Sequence, residues 1–331
     1  MEVIIHSITE DEDDMNKIKI AAISLSLLIL AGCETTVFNS GNDGKQSTSS
    51  YSNTQDGSTS MPLPASTPKP TAVPTPQPSP TPVPVQQPAP RTETVVALKV
   101  DVLDKLSNEK YSWWEMLNSE HKTPVFPPQS KLVNKYDGIY IGDTSKKVLY
   151  LTFDEGYENG YTAKILDTLK QNNVKTIFFI TGSYLKSQPE LVKRMVDEGH
   201  QVGNHSVNHP SMPTISYSNF EKEILDLEKS FSAKFGKGME YFRPPMGEFS
   251  ERTLAAAQQL GYKTTMWSFH YLDYDVNNQK GADYAYKKVT DNLHNGAVLL
   301  LHAVSKDNTE ALDRIIKEAK AQGYTFSPLD L

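Results

Sequence analysis

His205 and His209 stand four residues apart, one turn of a helix or the two sides of a tight loop. Two imidazoles at that spacing suit a divalent ion such as zinc, and three protein ligands plus a water make a catalytic site. Surface histidines also reach this spacing by chance, so the pair needs support. Asp154-Glu155 supplies some. Adjacent carboxylates at a strand end diverge, so one can serve a metal while its neighbour takes a proton from metal-bound water. The plainer alternative is a solvated acidic loop. Arg243 opens the stiff sequence Arg243-Pro244-Pro245-Met246-Gly247. Either it is a surface residue before a Pro-Pro turn, or its guanidinium grips Asp154 and keeps it ionised and oriented. His302 ends an apolar run, where a histidine is commonly a satisfied core residue. A carboxylate from Asp273 would change that, holding the imidazole protonated as an acid.

These residues share one property: each stands where an expected strand runs out. The runs are 148–153, 200–202, 240–242, 262–267 and 297–301. In a barrel of alternating strands and helices the C-terminal strand ends converge on one rim. From Lys147 onward the two patterns alternate. Ile165, Leu166 and Leu169 give a helical face, and 174–180 reads as a buried strand. Ser218 with Glu221 reads as a capping box opening a helix with Phe220, Ile224, Leu227 and Phe231 on one side. Further helices are expected over 254–260, 284–289 and 312–319. Repeated βα units imply a parallel sheet under helices. An open doubly wound sheet and a closed barrel both fit; the polar rim favours an α/β fold of the distorted (β/α) barrel kind. Ahead of it, residues 93–146, with Trp113 and Trp114, are expected to pack on the barrel or close one end.

The remaining chain reads as delivery apparatus. Of 331 residues only one is cysteine, so no intramolecular disulfide can form. The net charge of -7 gives no reason to expect a nucleic-acid partner. Residues 1–32 read as an export signal: Lys17 and Lys19, an apolar stretch too short to span a bilayer, then Leu30-Ala31-Gly32-Cys33. That tetrapeptide resembles a bacterial lipobox, which implies acylation of Cys33 and anchoring to the outer face of the cytoplasmic membrane. The acidic run of residues 10–14 is foreign to such signals, so translation is expected to start at Met15. Residues 33–92, first Ser/Thr-rich and then Pro-X-Pro, cannot bury a core and read as a disordered stalk. The proline part would span roughly 90 Å as polyproline II.

Five segments, in order, resemble the motifs of the polysaccharide deacetylases, the NodB-homology group or carbohydrate esterase family four. They are Thr152-Phe153-Asp154-Glu155-Gly156, His205-Ser206-Val207-Asn208-His209-Pro210, Arg243-Pro244-Pro245-Met246-Gly247, Trp267-Ser268 through Asp273-Tyr274, and Leu300-Leu301-His302. The likeness covers the expected catalytic domain, 147–331. Tyr136-Asp137-Gly138-Ile139-Tyr140, Gly156-Tyr157-Glu158-Asn159-Gly160-Tyr161-Thr162, Asn277-Asn278-Gln279-Lys280-Gly281 and Val304-Ser305-Lys306-Asp307-Asn308 resemble the delta-lactam-biosynthetic branch of that family and extend the likeness upstream to about Tyr111. That branch deacetylates N-acetylmuramic acid during spore cortex formation.

The resemblance implies roles for matching positions. Asp154 is the base; Glu155, His205 and His209 hold a divalent metal, zinc for preference. Arg243 orients Asp154, Asp273 tunes His302, and His302 protonates the leaving amine. Leu300 lines the acetyl pocket and the Met246 N–H helps stabilise the oxyanion. Three positions depart from the family pattern: Glu155 where an aspartate is usual, His270 for an aspartate, and Tyr274 for a tryptophan. The expected enzyme is a peptidoglycan deacetylase, with Lys280 and Lys306 as cations for the lactyl carboxylate. The alternatives are a deacetylase of N-acetylglucosamine, an inactive wall-binding lipoprotein, and a glycosidase using Asp154 and Glu158; the last leaves the histidine pair unexplained.

Overall fold

The computed structural model describes residues 87–90 and 97–331. The expected signal region, Cys33 and the stalk as far as residue 86 lie outside the described residues.

The first described elements are α1 (Val100–Leu103), β1 (Tyr111–Ser112) and α2 (Ser130–Lys135). Then come β2 (Val148–Glu155), α3 (Thr162–Gln171), β3 (Ile177–Ile180), α4 (Gly182–Ser187), α5 (Pro189–Asp197), β4 (Gln201–Asn204) and α6 (Tyr217–Phe235). The last part holds β5 (Tyr241–Phe242), β6 (Glu248–Phe249), α7 (Glu251–Gln259), β7 (Lys263–Thr264), α8 (Ala282–Thr290), β8 (Val298–His302), α9 (Lys306–Ala321) and β9 (Thr325–Phe326). Seven strands form one sheet in the order β7-β5-β4-β3-β2-β8, with β9 also on β2. Every pairing in it is parallel.

Hydrophobic runs explain why these strands sit centrally. All four residues of β3, Ile-Phe-Phe-Ile, are buried, as are seven of the eight in β2. Strands covered on both faces read as unbroken apolar runs, as parallel sheets require. Helices cover the outer face: Ile165, Leu166 and Leu169 of α3 and Phe220, Ile224, Leu227 and Phe231 of α6 are all buried, as their spacing predicted. The sheet curls until its ends approach. Phe269, beyond β7, bridges in parallel to Leu299 of β8, while Ile139 pairs with Thr265 and Ile141 with Ala297 across the seam. The result is a distorted, incompletely closed barrel.

Two boundaries differ from expectation. Helix α6 is capped by Ser216, whose hydroxyl accepts the Asn219 N–H, and not by Ser218. Ser216 has the extended backbone that an N-cap needs, whereas Ser218 already lies in the first turn. The folded unit also takes in the end of the proline-rich stretch. The Gln87 amide donates to the Val202 and Gly238 carbonyls, at 2.6 and 2.8 Å, and accepts the Val202 N–H at 2.9 Å. Residues 87–90 therefore belong to the domain's surface.

The segment before β2 does pack on the barrel. Trp113 is buried against Phe126, Tyr140 and Phe249, and its indole N–H donates to the Trp267 carbonyl at 2.9 Å. β1 pairs antiparallel with β6 to fix that wall.

Candidate active site

Strand β2 carries Asp154 and Glu155 as its last two residues, and successive side chains on a strand face opposite ways. Asp154 lines the main cavity at the rim. Glu155 lies behind the sheet, fully buried, with the Thr162 hydroxyl 3.3 and 3.4 Å from its two oxygens. The divergence expected of the pair is real, but it removes Glu155 from the cavity. Burial, reinforced by the nearby Glu158 charge, pushes the Glu155 carboxyl well above the usual carboxylate range. Its side chain faces away from the cavity, and its place in the expected metal triad is corrected accordingly.

Arg243 follows β5 and is wholly buried. Its guanidinium donates to Asp154 Oδ1 at 2.6 Å, to the Thr152 hydroxyl at 2.9 Å, and to the carbonyls of Thr265 and Met266 at 3.2 Å each. It also lies 4.2 Å from the centroid of the Phe179 ring. Burial by itself would raise the Asp154 carboxyl, but the charge of Arg243, with His205 and His302, outweighs it and holds the group below the usual range. A buried cation satisfied in this way stays in place.

His205 and His209 bracket a tight loop after β4, not a helix turn. Ser206 and His209 have φ of 66° and 60°, a left-handed conformation rarely taken by residues other than glycine. The Ser206 hydroxyl accepts the His209 N–H at 2.9 Å and Asn204 Oδ1 accepts the Ser206 N–H at 2.9 Å, which holds the loop. The two rings come within 4.8 Å, centroid to centroid. Nδ1 of His205 donates to the Arg243 carbonyl at 2.8 Å, leaving the Nε2 lone pair available, 3.4 Å from Asp154 Oδ2. Burial drives the His205 pKa down to about 4 and also lowers that of His209, so both rings are neutral at neutral pH. The His205–Asp154 contact is therefore no ion pair there.

Across the cavity, His302 closes β8 beside Asp154, its strand partner. Asp273 receives the His302 backbone N–H at 2.8 Å and its Nδ1–H at 2.7 Å, while Asn308 donates to the same carboxylate at 2.5 Å. Burial alone would lower the imidazole pKa; the adjacent Asp273 charge and hydrogen bond reverse this and raise it. Two carboxylates thus leave one acceptor and one donor facing a shared space.

That space is a cavity of about 500 Å³ lined by Asp154, His205, His209 and His302, with Leu300, Met246, Trp113, Trp267 and Tyr274 among its walls. Its size is that of a small-molecule pocket. Met246 reaches it from a tight turn with φ 59°. Lys280 and Lys306 are corrected: neither lines the cavity. Lys280 Nζ lies 5.0 Å from the Tyr284 ring centroid, and Lys306 pairs with Glu310 on the outer surface of α9. Each follows a rim strand in sequence, but its loop carries it outward. Sequence reasoning missed Glu115, which binds Trp267 and His270. One acid in an irregular segment, more than 150 positions from its partners, offers no spacing to find it by.

The side chains present meet a divalent ion only in part. Two neutral imidazoles with one tautomer set by a backbone carbonyl are suitable ligands. The expected third ligand faces away, and among the described residues no three His, Cys, Asp or Glu side chains form a metal-holding group.

Comparison with known proteins accords with this geometry. Residues 141–265 match the family model described as polysaccharide deacetylase. The chain is 51% identical over 227 residues to an uncharacterised 30.6 kDa protein of Geobacillus stearothermophilus, covering 68% of this chain and 86% of that one. It is 45% identical over 229 residues to the peptidoglycan-N-acetylmuramic acid deacetylase PdaA of Bacillus subtilis, covering 69% and 87%. The solved structure of that PdaA, a family 4 carbohydrate esterase, superposes with a TM-score of 0.66 over 68% of this chain and 97% of its own. A likeness of that extent places the chain in the polysaccharide deacetylase family, metal-dependent hydrolases of amide bonds.

Proposed function

We propose that this protein removes the acetyl group from N-acetylmuramic acid in peptidoglycan. The observation that carries the reading is the opposition of two pairs in one cavity: Asp154 against Arg243, which lowers its pKa, and His302 against Asp273, which raises that of the imidazole. An amide needs both, because water must lose a proton as it attacks and nitrogen must gain one as it leaves. The sugar is inferred from PdaA, whose name gives that substrate.

In this reading Asp154 accepts the proton of a water attacking the acetyl carbonyl carbon. Leu300 seats the acetyl methyl and the Met246 N–H donates to the developing oxyanion. As the C–N bond breaks, His302 delivers the proton on Nε2, since Nδ1 is engaged by Asp273. The products are acetate and a free amine. His205 and His209 would hold a divalent ion, zinc in our proposal, which would supply Lewis-acid charge near the carbonyl. In muramic acid stripped of its peptide, the freed amine can close on the lactyl carboxyl group, with loss of water, to form the lactam of spore cortex. Cys33 would carry the lipid anchor, and the proline-rich stalk would lift the domain toward the wall from the outer face of the membrane.

Mass spectrometry of muropeptides, with and without prior amidase digestion, tests the substrate. Acetyl loss confined to muramic acid of peptide-free glycan supports the proposal. Loss from N-acetylglucosamine of intact peptidoglycan would replace it with the other deacetylase reading.

A further inference from the structure

Glu115 is an acid for which the proposed reaction has no use, yet it is built in with care. Its side chain is 1% exposed and three N–H groups converge on it. His270 Nδ1 lies 2.6 Å and the His270 backbone nitrogen 2.8 Å from Oε1, while Trp267 Nε1 lies 2.9 Å from Oε2. A buried carboxylate is retained when such charge-assisted donors satisfy it. Its effect is to fix the His270 ring, whose Nδ1 faces Glu115 Oε1 and lies 3.0 Å from the Trp267 indole nitrogen. Nε2 has no hydrogen-bond partner among the described residues, the side chain is 34% exposed, and the ring lines the same cavity as Asp154 and His302. No lysine or arginine lines that cavity among the described residues.

We propose that Glu115 and His270 form a specificity pair that receives an anionic substituent on the sugar, the His270 imidazolium donating Nδ1–H to Glu115 and Nε2–H to a substrate carboxylate. This deepens the reading above and rests on it. In muramic acid the lactyl carboxylate is borne on the carbon next to the one that carries the acetamide. N-acetylglucosamine has only a hydroxyl there. A donor aimed from the cavity wall therefore separates the two sugars, and sites that hydrogen-bond a substrate group discriminate strongly against analogues without it. Glu115 is a positioning residue; His270 touches the substrate.

The test compares acetate release from peptide-free muramyl glycan and from N-acetylglucosamine oligomers by wild type, His270→Ala, His270→Gln and Glu115→Gln. The ratio of the two kcat/KM values within each variant cancels any loss of folded protein. For His270→Ala the ratio falls about tenfold or more, the worth of a charge-assisted hydrogen bond, through the KM for muramyl glycan. His270→Gln, whose amide reaches where Nε2 stood, recovers part of it, and Glu115→Gln shifts the ratio the same way as His270→Ala. A wild-type enzyme that prefers muramyl glycan, with ratios unchanged in the His270→Ala and Glu115→Gln variants, overturns the pair. A wild type inactive on muramyl glycan overturns the substrate reading itself, and this inference with it.

Discussion

Asp154 and Glu155 are chain neighbours whose carboxyls are shifted in opposite directions, and that contrast yields the sharpest residue-level tests. Because burial raises the folded-state pKa of Glu155, the stability it contributes is complete below the ordinary carboxylate range and is lost as pH rises toward the folded value. Gln does not titrate. Glu155→Gln should therefore keep activity and bound metal, and its melting temperature relative to wild type should rise as pH increases above the ordinary carboxylate range, by about 2–4 °C per kcal/mol in a domain of this size. Loss of metal on purification would restore Glu155 as a ligand. For His302 the sign runs through catalysis: an acid must be protonated, so activity fades as pH rises through its raised pKa. Asp273→Asn removes the cause of that rise. The alkaline limb of kcat/KM should move to lower pH and kcat should drop about a hundredfold or more, read from a pH–rate profile. His205, Arg243 and His302 could be placed near one rim because each follows a parallel strand, while their roles came from the family resemblance. Glu155 was misplaced, since a match by residue type carries no information about which face of a strand a side chain takes. Lys280 and Lys306 failed for a related reason: the direction of a loop is not written in its distance from a strand.

At the scale of elements, the turns that aim the site matter more than the strands that carry it. Ser206, His209 and Met246 all hold left-handed backbone beside the cavity, a conformation that persists where surrounding structure enforces it. Gly247 completes the Met246 turn with φ 63°, and a Cβ there would stand 2.6 Å from the Trp267 ring. Gly247→Ala should cost about 1–3 kcal/mol in a urea titration and lower activity as well, because Trp267 cannot yield without disturbing Glu115 and His270. An unaltered urea midpoint would show that the turn is slack. Apolar periodicity disclosed the long helices and the buried strands directly. It could not place the start of α6, since two serines compete for the cap and only backbone conformation chooses Ser216. Nor could it disclose the path of residues 97–146, whose contacts through Trp113 and Glu115 are tertiary and lack periodicity.

For the molecule as a whole, parallel βα repeats made the barrel legible, while its closure was not: the seam rests on isolated pairings at Ile139, Ile141 and Phe269. The domain's edge was likewise hidden, because Gln87 sits in a stretch whose composition reads as stalk. Removing residues 1–96 should destabilise the domain by about 1–3 kcal/mol relative to a chain starting at residue 87, by loss of the Gln87 hydrogen bonds. Equal urea midpoints would mean that residues 87–90 add nothing. The proposed anchor predicts that Cys33→Ser moves the protein from the membrane fraction to the soluble one. The central claim is that Asp154 and His302 face each other as base and acid over one amide. It is tested most directly by acetate release from peptide-free muramyl glycan with wild type, Asp154→Asn and His302→Ala. The account predicts stoichiometric acetate and free amine from wild type, and release reduced by about 10² or more in each variant. Undiminished release from Asp154→Asn would contradict it.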